Sequence, residues 1–196
     1  MTSSKLLIVY GARGSGKTAN LQYLNTNLLL NDGDPHRDLV RYTNLTTKSG
    51  PGANDAAEHM HLSIGKVDEM VTTLDVYALP FELNDWSKQL IRTCDVICFI
   101  VDSAGDRQPA NKEAFRNVQD CCPDRLIPIV VQFNKRDLTD ALPLEVLKAE
   151  YDSPNSWSVR EAVAFEGLGV FSTFLDILRV LKSSLVSWNN SCYKQI

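Results

Sequence analysis

Leu6-Leu7-Ile8-Val9-Tyr10-Gly11-Ala12-Arg13-Gly14-Ser15-Gly16-Lys17-Thr18 is an apolar run halted by glycine and followed by a glycine-rich loop. The run lacks polar alternation, which suits a parallel strand buried on both faces. Beyond Lys17 the period changes. Leu21, Leu24 and Leu28 recur at helical spacing, and Asn31-Asp32-Gly33-Asp34-Pro35 is expected to end that helix. Between strand and helix, Gly11 to Thr18 match G-x-x-x-x-G-K-[ST] without a gap. Glycines let the backbone wrap a phosphate with its N–H groups turned inward, and the helix start offers its positive dipole end to the same anion. Lys17 is placed to neutralise β- and γ-phosphate charge, and the Thr18 hydroxyl to ligate Mg²⁺. The candidate nucleotide-binding residues of this segment are Arg13, Gly14, Ser15, Gly16, Lys17, Thr18 and Ala19.

Strand and helix signals alternate along the rest of the chain. A short strand is expected around Asp38 to Tyr42, then an exposed loop over Thr43 to Asp55, rich in Thr, Asn, Gly and Ser. His59 to Ile64 and Met70 to Leu79 read as a hairpin about Gly65-Lys66-Val67-Asp68-Glu69. Helical spacing follows over Asn84 to Thr93, a central strand over Val96 to Val101, and a helix over Ala110 to Cys121. Leu126 to Phe133 reads as a strand, and Pro143 opens a helix that reaches about Glu150. A last strand is expected over Val159 to Ala164. In the final helix Val170, Phe171, Phe174, Ile177, Leu178 and Leu181 share one face. The residues from Asn189 to Ile196 read as a tail without a targeting signature. This βαβ rhythm implies a mostly parallel sheet covered on both sides by helices.

Composition narrows the function classes. With 196 residues, the chain is expected to form one domain. Its 44% hydrophobic and 22% charged content excludes a disordered or rod-like chain. A net charge of -4 provides no field for nucleic acid or anionic lipid. The apolar runs are too short to cross a bilayer, and the N-terminus is a poor signal peptide. The five cysteines (Cys94, Cys98, Cys121, Cys122 and Cys192) lack metal-ligand spacing, and reduced thiols in a cytoplasmic protein fit them.

A second motif names the base. The strand ending at Phe133 runs into Asn134-Lys135-Arg136-Asp137, the N-K-x-D pattern that reads guanine in small GTPases. Guanine presents two adjacent donors, N1–H and the N2 amine, and one carboxylate can accept both as a charge-assisted pair. Adenine has no such pair, so Asp137 is expected to select GTP over ATP. Asn134 is expected to tie the base region to the phosphate loop, and the Lys135 stem to lie along the ring face.

With both motifs in place, the chain resembles the Ras-like small GTPase superfamily, and within it the MglA-like bacterial polarity and gliding-motility GTPases. The likeness rests on Gly16 to Leu24, Leu62-Ser63-Ile64-Gly65, Gln132 to Leu138, and Glu161-Ala162-Val163-Ala164 with Gly167-Leu168-Gly169-Val170-Phe171. It implies a P-loop G domain over residues 1–196, a six-stranded, mostly parallel sheet with one antiparallel hairpin strand and helices on both faces. It also implies bound GTP or GDP, Mg²⁺ and a Roadblock-type, MglB-like regulatory partner. Val163 and Ala164 fall where the family places a short loop whose backbone amide approaches guanine O6; a final core strand is the competing expectation.

The departures from that family bear on turnover. The family's switch II glycine and glutamine correspond here to Phe81 and Glu82. A bulky residue restricts backbone that must approach a phosphate, and a carboxylate adds negative charge beside a transition state that needs neutralising. Where MglA-like chains carry an arginine finger and a Mg²⁺-binding threonine, an ungapped alignment finds Gly52-Ala53-Asn54; Thr46 and Thr47 serve only after realignment. Arg13 stands where small GTPases usually have glycine, and its side chain is expected to face solvent or to act as an arginine in cis. The expectation is a guanine-nucleotide binder with weak or absent hydrolysis. Its alternatives are an active switch completed in trans by the partner, and an ATP-dependent P-loop kinase or ATPase. His59 and His61 share a strand face but lack a third ligand, and Trp86, Trp157 and Trp188 are expected to anchor core or rim.

Overall fold

The computed structural model describes residues 2–29, 41–47, 55–67, 70–123, 126–151 and 156–192. The opening strand β1 (Thr2–Tyr10) lies near the middle of a seven-stranded sheet of order β2-β3-β4-β1-β5-β6-β7. Its neighbours are β4 (Met70–Ala78) and β5 (Val96–Asp102), both parallel to it. Beyond β5 come β6 (Ile129–Asn134) and β7 (Ser156–Glu161), again parallel. The one reversed strand is β3 (Asp55–Val67), antiparallel to β4 on one side and to the edge strand β2 (Arg41–Thr47) on the other. The mostly parallel sheet covered on both faces is as expected, with β2 lengthening it to seven strands.

Burial explains the unbroken apolar runs. Every residue of β5 and of β6 is buried, because helices cover both faces. On one face, Leu21 and Leu24 of α1 (Lys17–Leu29) and Phe174, Ile177, Val180 and Leu181 of α5 (Val170–Cys192) pack on Leu7, Val9, Cys98 and Val130. On the other, Ile91 of α2 (Asp85–Thr93), Phe115 and Val118 of α3 (Gln108–Cys121), and Leu147 and Tyr151 of α4 (Leu144–Tyr151) pack on Ile8, Tyr10, Ile97 and Phe99. Asn84 starts α2 because its side chain accepts the Ser87 N–H at 2.9 Å, satisfying one of the orphan donors of the first turn.

Several boundaries differ from expectation. Thr43 to Thr47 belong to β2 and not to a loop, since seven residues pair with β3 from Arg41↔His61 to Thr47↔Asp55. Pairing supplied by a neighbouring strand overrode a loop-like composition. The β3 strand runs on to Val67, past a register shift between Ser63 and Gly65. The last strand ends at Glu161, so Val163 and Ala164 lie in the turn beyond it. Phe171 is 42% exposed, and Val180 takes a place in the buried stripe of α5. That helix continues to Cys192, through the start of the expected tail. The expected helix stop at 31–35, the loop residues 52–54 and the hairpin tip at 68–69 lie outside the described residues.

One ion pair fastens α5 to β7. Buried Asp176 accepts Arg160 Nε at 2.6 Å and Arg160 Nη2 at 3.0 Å, and Arg179 Nη1 at 2.6 Å. Arg160 is the main cause holding this carboxyl down to about 2, below its ordinary 3.8. A depressed carboxyl contributes stability at and above its unfolded pKa, and that stability is lost as pH falls toward the folded value. Acid unfolding measured between pH 4 and pH 2 is therefore expected to steepen through Asp176. Asp176→Asn should lower neutral-pH stability by about 2 kcal/mol and remove that part of the acid slope.

Candidate functional site

The three loops that follow β1, β6 and β7 meet beyond the carboxyl ends of their strands, the place where open parallel sheets take ligands. The first is the glycine loop. Gly16 has φ 107°, and a Cβ added there would lie 2.1 Å from Asn134 Nδ2, so only glycine lets the loop close on the base-side strand. Gly11 has φ 154°, with a hypothetical Cβ 2.2 Å from the Ile100 carbonyl. Ser15 N–H donates to Ala12 O at 3.2 Å and Asn20 N–H to Gly16 O at 3.1 Å. Among the described residues, the amides of Gly14, Gly16, Lys17 and Thr18 have no carbonyl partner. These unpaired donors at the N-terminus of α1, next to Ala19, form a cradle suited to an anion. The buried Ser15 Oγ likewise has no partner.

Lys17 crosses this cradle. Its ammonium donates to Gly11 O and Ala12 O, each at 2.9 Å. Burial pulls it down to about 8 from an ordinary 10.5, against the carboxylates of Glu58 and Glu82, which pull it up. The Thr18 hydroxyl donates to a carboxylate oxygen of Glu58 on β3. Arg13 Nη2 pairs with Glu82 Oε1 at 2.8 Å across an exposed gap, so two of the residues that depart from the family pattern face each other. The Glu82 carboxyl is held below its usual range by its own backbone N–H, with Arg13 adding to the effect. Phe81 packs at the border of the core, and its carbonyl accepts the Tyr10 hydroxyl at 2.7 Å.

The second and third loops come to the first through one side chain. Asn134, at the end of β6, donates from Nδ2 to Ser15 O at 2.8 Å and accepts the Ala164 N–H on Oδ1 at 2.8 Å. The phosphate loop, the N-K-x-D loop and the loop holding Val163 and Ala164 are thereby brought together. Beneath them, buried Gln132 and Asn20 exchange hydrogen bonds at 2.9 and 3.0 Å, and Gln132 also donates to Thr173 Oγ1 at 3.0 Å. Asn20 Nδ2 holds the Gly16 carbonyl at 3.0 Å. Asp137 is exposed, and its carboxylate has no hydrogen bond or ion pair among the described residues.

Two residues at this junction carry no motif. Asp102 ends β5 with its side chain 1% exposed and holds Lys135 Nζ at 2.6 Å, with Arg107 Nε at 3.7 Å. A buried carboxylate needs such cations. Lys135 itself sits at φ 62°, in left-handed backbone. Arg107 in turn donates from Nη2 to the Arg13 carbonyl at 2.5 Å, bracing the outer side of the phosphate loop. An acidic residue closing an apolar strand was the only sequence signal for Asp102. For Arg107, and for Glu58 on β3, no local signal exists, because each reaches the site across the fold.

The histidine pair has a different environment from a bare surface. His59 Nε2 and His61 Nδ1 both lie on Asp75 Oδ1, at 2.9 and 2.8 Å, and His59 stacks on Tyr77 with ring centroids 4.3 Å apart. Among the described residues no group of three or more His, Cys, Asp or Glu is placed to hold a metal. Trp86 packs edge-on to Tyr77 at 5.7 Å, whereas the side chains of Trp157 and Trp188 lie outside the described residues. Among the described residues, Cys94, Cys98, Cys121 and Cys122 form no disulfide.

A search of protein-family models finds none that matches the chain. Among curated proteins it is similar to the "Mutual gliding-motility protein MglA" of Myxococcus xanthus (strain DK1622), 28% identical over 186 residues and covering 91% of each chain. The resemblance to MglA-like small GTPases read from the motifs therefore extends over nearly the whole length of both proteins.

Proposed function

We propose that this chain, similar to MglA along nearly its full length, is a regulatory guanine-nucleotide-binding protein with weak or absent intrinsic GTP hydrolysis. One observation carries the reading. Asn134 hydrogen-bonds at once to the phosphate loop and to the Ala164 amide, so the loops carrying the groups suited to phosphate and to guanine adjoin one another. Lys17 would neutralise phosphate charge, the loop amides would hold phosphate oxygens, and Asp137 would accept from the guanine edge.

The site also suits Mg²⁺, whose preferred donors are hard oxygens. A hydroxyl (Thr18) and a carboxylate (Glu58) stand together at the phosphate loop, and the remaining positions would go to phosphate and water, as Mg²⁺ favours. When bound, the ion supplies positive charge against the phosphates. Low turnover is supported by Phe81 and Glu82 in the segment after β4, and by the engagement of Arg13 with Glu82 rather than with the cradle. A cleft of about 370 Å³ between α2 and α3 is bordered by Phe81, Glu82 and Leu83; a regulatory protein of the Roadblock type would dock beside this segment. No described helix is long and apolar enough to cross a membrane; the cytoplasmic location proposed here rests on the cysteine usage, which fits reduced thiols.

Titrating purified, nucleotide-stripped protein with GDP, GTP and ATP in the presence of Mg²⁺ tests the reading. Guanine nucleotides should bind well ahead of ATP, with slow single-turnover hydrolysis. Turnover that rises sharply only when the Roadblock-type partner is added would move the reading to a switch completed in trans. Preference for ATP, unchanged by Asp137→Ala, would replace it with a P-loop kinase or ATPase.

Lys17 adds a pH signature. The ammonium titrates near 8 in the free protein, and bound phosphate would raise that value. The bound state then holds more protons above pH 8, so binding takes up a proton there and affinity falls with rising pH, at most tenfold per pH unit. Calorimetry in buffers of different ionisation enthalpy should show this uptake at pH 8 to 9 and almost none at pH 6.

A further inference from the structure

We propose that Arg107, which lies outside both motifs, is a positioning residue of the nucleotide site: it holds the Arg13 carbonyl and thereby aims the Gly14 N–H at the phosphates. The inference rests on the guanine-nucleotide reading above and adds to it a residue on which the phosphate grip depends. Ala12-Arg13-Gly14-Ser15 form a β-turn closed by Ser15 N–H on Ala12 O at 3.2 Å. Gly14, third in the turn, has φ 77°, the value of a type II turn. Type I, the commonest turn, differs by a flip of the central peptide and needs a negative φ at that position. Glycine takes either sign about equally well. The turn residues alone therefore leave open which way the Arg13–Gly14 peptide faces.

Arg107 decides it. Its Nη2 donates to the Arg13 carbonyl at 2.5 Å. In a planar trans peptide the N–H points opposite to the C=O. With the carbonyl on Arg107, the Gly14 N–H faces the other way, where it has no carbonyl partner. A flipped peptide would turn a carbonyl, a negative dipole end, to the anion and waste one donor. The guanidinium is itself aimed. Arg107 closes the 3-10 turn Gly105–Arg107 just after β5, with its N–H on Ala104 O at 3.2 Å. Its buried Nε faces the Asp102 carboxylate at 3.7 Å, and makes no hydrogen bond. One rigid fork thus spans a buried anion and the loop carbonyl, which a flexible ammonium cannot do.

Calorimetry of GDP with nucleotide-stripped wild type, Arg107→Met and Arg107→Lys in Mg²⁺ tests this, alongside the amide proton resonances of Gly14, Gly16 and Lys17. In wild type, GDP should move the Gly14 proton downfield, as a hydrogen bond to a charged oxygen does. Arg107→Met should bind GDP about 10–100-fold more weakly, the loss of one donor to a charged group. Its Gly14 proton should lose the downfield movement while Gly16 and Lys17 keep theirs. Arg107→Lys, which retains a charged donor, should recover part of both. A wild-type Gly14 proton indifferent to GDP overturns the inference without any variant. GDP affinity of Arg107→Met within threefold of wild type overturns it as well. So does a variant in which all three amides lose their movement together and the unfolding midpoint falls, since Arg107 then only braces the fold. These results leave the nucleotide reading standing, whereas a wild type that binds no guanine nucleotide removes both.

Discussion

Lys17→Ala should weaken GDP binding on the order of a thousandfold while leaving the fold in place. In the free protein the ammonium is held over the loop by the carbonyls of Gly11 and Ala12, each at 2.9 Å, and is already largely stripped of water. Most of its dehydration therefore precedes the arrival of a phosphate, and the attraction to the phosphate is weakly screened. Truncating one partner of such a buried charge pair typically costs about 2–5 kcal/mol, and tenfold in affinity is about 1.4 kcal/mol. Lys17→Arg should not rescue binding, because a planar guanidinium does not fit a place shaped for a compact ammonium. The measurement is GDP calorimetry at pH 7 with the unfolding midpoint as a control. A loss of less than tenfold would show that phosphates are gripped elsewhere.

The second large effect is expected at Asp137. Asp137→Ala removes the acceptor proposed for guanine N1–H and N2, two charge-assisted bonds at about 1.5–3 kcal/mol each. GDP affinity should fall by about a hundredfold or more, and ATP binding should stay as weak as before, so that discrimination between bases collapses. The carboxylate is exposed and bonds to no described residue, so its removal should leave stability within about 0.5 kcal/mol of wild type. The loop around it is set by Lys135, which takes left-handed backbone at φ 62° and anchors on buried Asp102 at 2.6 Å. A variant that lost GDP affinity and stability together would point to a structural role for residue 137.

Arg13 and Glu82 show how a local departure gains meaning in three dimensions. As isolated letters they suggested an arginine turned to solvent or acting in cis, and a carboxylate adding negative charge beside the phosphates. In the fold they pair at 2.8 Å with side chains 79% and 61% exposed. An exposed pair of this kind is worth little stability. It nevertheless links the phosphate loop to the segment after β4, which joins the two parts of the site that a nucleotide would have to separate or bridge.

The alternation of apolar runs and glycine punctuation in the amino-acid order was enough to specify a doubly covered parallel sheet, because a strand buried on both faces can carry no polar alternation. The phosphate loop and the N-K-x-D loop were legible for a similar reason. Each is a contiguous segment whose backbone must take one shape, as the left-handed φ values at Gly16 and Lys135 show. Tertiary pairing decided the rest. Whether Thr43 to Thr47 formed loop or strand depended on β3 lying beside it. Whether Val163 and Ala164 closed a strand or a turn depended on Asn134 claiming the Ala164 amide. Glu58, Asp102 and Arg107 reach the loop from strands and turns far along the chain, and contacts between distant segments leave no periodic trace in a sequence.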